Sequence, residues 1–215
     1  EIDDLFRIRF VTSHPKDLSL DLIMSMQKNH KVCEHIHLPL QSGSSELLKR
    51  MNRQYSIVDY ISKVESLRKT IPNVSITTDL IVGFPGETES QFKETLKVVQ
   101  EVKFDYSFCF KYSPRSGTKA AEYVDQVEES IRLERLQILI DLQRDITLKK
   151  FKGMIGMPVE IYVESLSKKN SSHVSGKTRD NKVAVVCGDY SLIGTLVQAK
   201  RSEERRVGKE CRSRW

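Results

Sequence analysis

With 215 residues, 39% hydrophobic and 30% charged, the chain can bury one ordinary core and a small second one. No apolar run approaches the ~18 residues of a membrane span, which excludes a helical membrane protein, and no signal-peptide pattern is visible. The formal charge of +6 admits a nucleic-acid partner, but half of it comes from one short stretch. Cys33, Cys109, Cys187 and Cys211 are scattered without metal-ligand spacing, so a reducing, cytosolic setting without a disulfide framework is expected.

In chain order, Phe6-Arg-Ile-Arg-Phe-Val11 alternates as a strand would, and Thr12-Ser-His-Pro15 ends it. Leu18, Leu22, Ile23 and Met26 fall at helical spacing. A second strand is predicted from Val32 to Leu40, closed by Gln41-Ser-Gly-Ser-Ser45, with a helix through Leu47, Leu48 and Met51 behind it. Ser56 and Asp59 form a capping box for a helix carrying Ile57, Ile61, Val64 and Leu67.

The most informative stretch is Ile76-Thr-Thr-Asp-Leu-Ile-Val-Gly-Phe-Pro-Gly-Glu-Thr88. Its apolar, β-branched run reads as a buried strand, and Gly83, Pro85 and Gly86 break it. Thr88 and Gln91 then make a second capping box for a helix through Phe92, Leu96 and Val99. A further strand is predicted from Tyr106 to Tyr112, ending in Ser113-Pro-Arg-Ser-Gly117. Strands alternating with helices predict a parallel βα array, and right-handed crossovers place the turns after its strands on one edge. Small residues at such an edge are where α/β proteins bind ligands, although a glycine turn also serves backbone geometry alone.

Glu128 to Phe151 is predicted to be a long helix with Ile131, Leu136, Leu139 and Ile146 along one side. Beyond Gly153, short strands at 159–164, 183–186 and 193–197 suggest a small all-β barrel. Lys168, Lys169, Lys177, Arg179 and Lys182 face Asp180 alone in sequence, a candidate RNA-phosphate surface. Arg201 to Trp215 has six basic and three acidic residues and no apolar periodicity. It resembles a translated sequencing adapter and is expected to be non-native and to pack on nothing. The start at Glu1, without methionine, reads as a piece of something longer.

Four ordered motifs carry a resemblance: Arg9-Phe-Val-Thr-Ser-His-Pro15, His35-Ile-His-Leu-Pro-Leu-Gln-Ser-Gly-Ser44, Thr77 to Thr88, and Tyr112-Ser-Pro-Arg-Ser-Gly-Thr118. Together they resemble the radical S-adenosylmethionine methylthiotransferases, over nearly all of Phe6 to Lys200. The resemblance implies an α/β fold: about four of the six strands of an open (β/α) barrel in residues 1–152. A truncated TRAM domain would follow in residues 153–200, and the non-native tail in residues 201–215. It implies methylthiolation of N6-isopentenyladenosine in the tRNA anticodon arm, with S-adenosylmethionine and two 4Fe–4S clusters as cofactors. The family holds both clusters on cysteines that this sequence lacks, so the chain itself is expected to be inactive and to hold no metal.

Carried over, the implied cofactor contacts are Gln41 and Ser42, Ile81 and Gly83, and Tyr112 and Ser113. The general pattern Gly-x-Ile-x-Gly-x-x-Glu is matched imperfectly: Asp79 stands for its first glycine, Gly86 for its glutamate, and Glu87 follows one place later. Three alternatives stay open: a non-enzymatic RNA-binding module, a methylthiotransferase for threonylcarbamoyl-adenosine in tRNA, or one for an aspartate of a ribosomal protein. His14, His35 and His37 have no evident fourth ligand nearby, so no metal is assigned to them.

Overall fold

The computed structural model describes residues 5–9, 11 and 14–202. Helix α1, Leu20–Lys28, starts where the Ser19 hydroxyl accepts from the Leu22 N–H, and it buries Ile23 and Met26. Strand β1, His35–His37, leads through an irregular turn to α2, Ser45–Arg50. Both predicted capping boxes form. Ser56 and Asp59 open α3, Ile57–Thr70, and Thr88 and Gln91 open α4, Glu89–Val102. Between those helices runs β2, Ser75–Val82, and α4 is followed by β3, Tyr106–Lys111.

The three strands form one parallel sheet in the order β1-β2-β3, with Ile36 beside Ile76 and Leu80 beside Cys109. One face, with Ile36, Ile76, Leu80 and Val82, is buried under side chains such as Ile23, Val64, Leu67, Phe92 and Val99 of the crossing helices. Among the described residues of the predicted first strand, pairing consists of a parallel bridge between Ile8 and Val32. The predicted strand from Val32 to Leu40 keeps regular pairing over only three residues. Pro39 has no N–H to give, and the Leu40 N–H goes to the Thr78 hydroxyl instead of a backbone carbonyl. The chain still runs alongside β2, because the Gln41 N–H donates to the Asp79 carbonyl at 2.8 Å.

Helix α5, Glu129–Gly153, buries Arg135, Leu139, Gln143 and Thr147, a stripe at i, i+4 spacing. The predicted apolar side is therefore only half right: Leu136 and Ile146 pack at its margin, and Ile131 is exposed. The stripe is polar because it meets strand ends. Gln143 donates to the Phe104 carbonyl at 3.0 Å and Thr147 to that of Asp105 at 3.1 Å.

The second unit is a four-stranded antiparallel sheet, order β6-β5-β4-β7. Its strands are β4, Pro158–Leu166, β5, His173–Thr178, β6, Val183–Cys187, and β7, Leu196–Lys200. Strand β5 is absent from the sequence reading, since His-Val-Ser-Gly-Lys-Thr shows no apolar alternation. Gly176 sits within it because a Cβ there would overlap the Tyr162 carbonyl. Strand β7 begins three residues later than predicted, after a single 3₁₀ turn, Tyr190–Leu192, and Gly194. Arg201 corrects the expectation that residues 201–215 pack on nothing. Its N–H donates to the Met157 carbonyl at 3.0 Å and its guanidinium pairs with Asp180. Residues 203–215 lie outside the described residues.

Candidate functional site

Three predicted turns do meet at the carboxyl edge of the parallel sheet. Gln41 bridges to Leu80, the Ile81 N–H donates to the Gln41 carbonyl at 2.8 Å, and the Tyr112 N–H donates to the Val82 carbonyl at 2.8 Å. Gln41, Ile81, Gly83 and Tyr112 are therefore brought together. Gln41 holds φ at +69°, a left-handed conformation that costs a non-glycine residue free energy. Its side-chain amide makes no hydrogen bond among the described residues. Ser42 points elsewhere. Fully buried, its hydroxyl lies 3.5 Å from that of Thr95 and accepts from the Ser44 N–H. Ser113 is exposed beyond the edge.

The glycines of this edge make room for the protein's own side chains. Gly83 has φ +68°, and a Cβ on it would overlap the Arg132 stem. Arg132 in turn donates to the Tyr112 carbonyl at 2.9 Å, tying the turn after β2 to the turn after β3. A Cβ on Gly86 would overlap the Asp125 carboxylate, which Arg50 holds in an ion pair. At Gly83 the missing Cβ makes room for α5 to pack against the turn.

One turn later on the same helix, Arg135 donates to Glu87 Oε2 at 2.8 Å and to the Glu87 carbonyl at 2.9 Å. The same oxygen accepts from the Gly83 N–H at 2.6 Å, and the Glu87 side chain has no exposure. Burial pushes its carboxyl above the usual range, against the pull of the Gly83 N–H and Arg135. Sequence reading missed Arg132 and Arg135. Their one available signal is a pair of arginines three apart on a helix that otherwise looks amphipathic.

The face of the sheet away from the helices carries a second constellation. Thr77 Oγ1 is 3.1 Å from His35 Nε2 and 3.0 Å from His37 Nδ1, and His37 Nε2 is 3.3 Å from Asp79 Oδ2. Phe108 and Phe110, beside Asp79 and Ile81 in register, are each almost half exposed. Burial, reinforced by Arg9 and His37, lowers the His35 pKa to about 4, so this ring is neutral near pH 7. His14 stands apart, its ring 5.1 Å from that of Tyr55.

The five predicted RNA-facing cations do not share one surface. Lys168 and Lys169 are exposed in the β4–β5 turn, and Lys177 is half-buried on β5. Arg179 turns inward, donating to Glu34 at 2.6 and 2.7 Å and to the carbonyls of His30 and Val32. Lys182 pairs with Asp105 at 3.2 Å and Asp180 at 2.6 Å. These last two close the amino edge of the parallel sheet, where Lys150 also reaches Asp105 at 2.8 Å. Arg7 and Arg9 complete the seam, Arg7 on Glu160 at 2.7 Å and Arg9 on the Thr178 carbonyl. The predicted run of cations is therefore in part an internal clamp.

Among the described residues, the cysteines do not make the donor set of an iron–sulfur cluster. Cys33 is buried, Cys109 half-buried on β3 and Cys187 exposed on β6. Among the described residues no three His, Cys, Asp or Glu side chains group as metal ligands. No described helix is long and apolar enough to cross a membrane.

Residues 2–99 match the radical SAM superfamily. Over 205 residues the chain is 48% identical to the tRNA-2-methylthio-N(6)-dimethylallyladenosine synthase of Thermoanaerobacter sp. (strain X514), covering 95% of this chain and 44% of that protein. It is 52% identical over 205 residues to the synthase of the same name from Caldicellulosiruptor saccharolyticus, covering 93% and 43%. The chain thus spans under half the length of these curated relatives. Among solved structures, coproporphyrinogen III oxidase (HemN) from Escherichia coli, described as a radical SAM enzyme, aligns with TM-score 0.52 at 19% identity. That alignment covers 66% of this chain and 37% of the other, a likeness of fold. Residues 2–99 thus carry the likeness to the radical SAM superfamily, and nearly the whole chain is similar to these synthases.

Proposed function

We propose that this chain is the C-terminal portion of a tRNA methylthiotransferase, which converts N6-isopentenyladenosine to its 2-methylthio derivative. The observation that carries the reading is identity of about half, over nearly the whole chain, to synthases named for that product. The carboxyl edge supports it. Gln41 offers a strained backbone and an amide with no partner among the described residues, beside the half-exposed Ile81 and the Gly83 and Tyr112 turns. These residues, with Ser113, would hold the nucleoside side of S-adenosylmethionine, and Ser42 would brace the turn from beneath. Bound there, the cofactor would supply a methyl group for transfer, whereas hydrogen abstraction would further need an electron that the described residues do not supply. Arg132, Arg135 and Glu87 set the backbone of the cradle.

The described cysteines do not make a cluster site, so no step through a cluster is assigned to them, and this chain alone is expected to be inactive. The antiparallel unit is read as a TRAM domain that meets the anticodon arm through Lys168, Lys169 and Lys177, the three predicted cations not spent on the amino edge. To test the reading, the complete reading frame containing this chain is expressed in a bacterium lacking the modification, and its tRNA nucleosides are analysed by mass spectrometry. Accumulation of 2-methylthio-N6-isopentenyladenosine is expected. Persistence of N6-isopentenyladenosine alone, with the protein present at normal levels, would overturn the assignment.

A further inference from the structure

Asp79 occupies a place that the cofactor-edge reading leaves unused. It lies two residues up the strand from Ile81, so its side chain points to the same open face, about 7 Å deeper. The side chain is 30% exposed. His37 Nε2 lies 3.3 Å from Oδ2, and Oδ1 makes no hydrogen bond among the described residues.

The neighbouring groups hold this carboxylate in place. His37 stands between Asp79 and Thr77, with Nε2 3.3 Å from Asp79 Oδ2 and Nδ1 3.0 Å from Thr77 Oγ1. The Thr77 hydroxyl lies 3.0 Å from His37 Nδ1 and 3.1 Å from His35 Nε2, and Asn181 Nδ2 stands 3.5 Å from the same His35 nitrogen. His35 is buried and serves as the fixed end of the line. Beside Asp79 in register stands Phe108, 44% exposed, its ring edge-on to that of His37 at 6.0 Å, and Phe110 continues the apolar strip beside Ile81.

We propose that Asp79, held by His37, accepts a hydrogen bond from a hydroxyl or N–H of an adenosine nucleoside whose flat base lies on Phe108 and Phe110. A lone acceptor beside two half-exposed rings suits a ligand with one apolar plane and a donor at its rim. The inference rests on reading this face as the nucleoside-binding one. Cofactor and target nucleoside share that chemistry, so the test has two arms.

The 215-residue chain is titrated by calorimetry with S-adenosylhomocysteine and, separately, with N6-isopentenyladenosine. Asp79→Asn keeps the shape and removes the charge, and His37→Gln removes the support. The wild type should bind one of the two, which identifies the source. Asp79→Asn should weaken that binding about tenfold, as expected for a charge-assisted hydrogen bond. Its melting temperature should match that of the wild type, since Asp79 is partly exposed. His37→Gln should weaken binding by a smaller factor. Equal affinity of wild type and Asp79→Asn would overturn this inference while leaving the cofactor edge intact. Failure of the wild type to bind either ligand would overturn both.

Discussion

The two edges of the parallel sheet are built from similar residues to opposite ends. At the amino edge, side chains of opposite charge arrive from separate parts of the chain and neutralise one another. Asp105 receives Lys150 and Lys182, Glu34 receives Arg179, and Glu160 receives Arg7. At the carboxyl edge, arginines from α5 bind backbone carbonyls and a buried carboxylate, and they shape the turns beside Gln41, whose side-chain amide makes no hydrogen bond among the described residues. One edge is closed by charge and the other is held open by it. A run of basic residues therefore says little about partners until the acids that meet it in space are known.

The comparison is broken most severely at Glu87 and Arg135. Removing one member leaves the other charged and buried, so Arg135→Ala should destabilise the fold by about 3–5 kcal/mol in urea denaturation. A loss under about 1 kcal/mol would show that the carboxyl edge is not set by this pair. The next effect belongs to His35. Its folded pKa of about 4 lies below the ordinary 6.5, so the unfolded chain binds more protons between these values. Stability present above pH 6.5 should fall as the pH drops to 4, by up to about 3 kcal/mol, and His35→Gln should flatten that slope. A variant with an unchanged pH profile would refute the assignment.

At the amino edge a smaller loss is expected. Arg179→Ala removes an ion pair whose glutamate is more than a third exposed, so about 1–2 kcal/mol is anticipated, measured by the same denaturation. The finest distinction is between cations. If tRNA meets the antiparallel unit, Lys168→Ala with Lys169→Ala should lower the salt slope of binding by up to about two units. Lys182→Ala should leave the slope unchanged. Equal effects of the two changes would mean that the inward-turned lysine reaches RNA after all.

Much of this was legible in the sequence. The capping boxes at Ser56 and Thr88, the βα alternation and the common edge of Gln41, Gly83 and Tyr112 follow from local chemistry. What was not legible depends on long-range pairing. Strand β5 has no apolar alternation and is a strand only because β4 and β6 flank it. The need for glycine at 83 comes from Arg132, far along the chain, and the cost of Gln41's backbone is invisible in its letter. Arg179 and Lys182 looked like surface because Glu34 and Asp105 are distant in sequence.

The most direct test of the account is a backbone-amide NMR titration of the chain with S-adenosylhomocysteine. The account predicts that the largest shift changes fall at Gln41, Ile81, Gly83 and Tyr112, with little change at Glu34, Asp105 or Thr178 to Lys182. Changes centred on that amino edge, or none anywhere at saturating ligand, would contradict it.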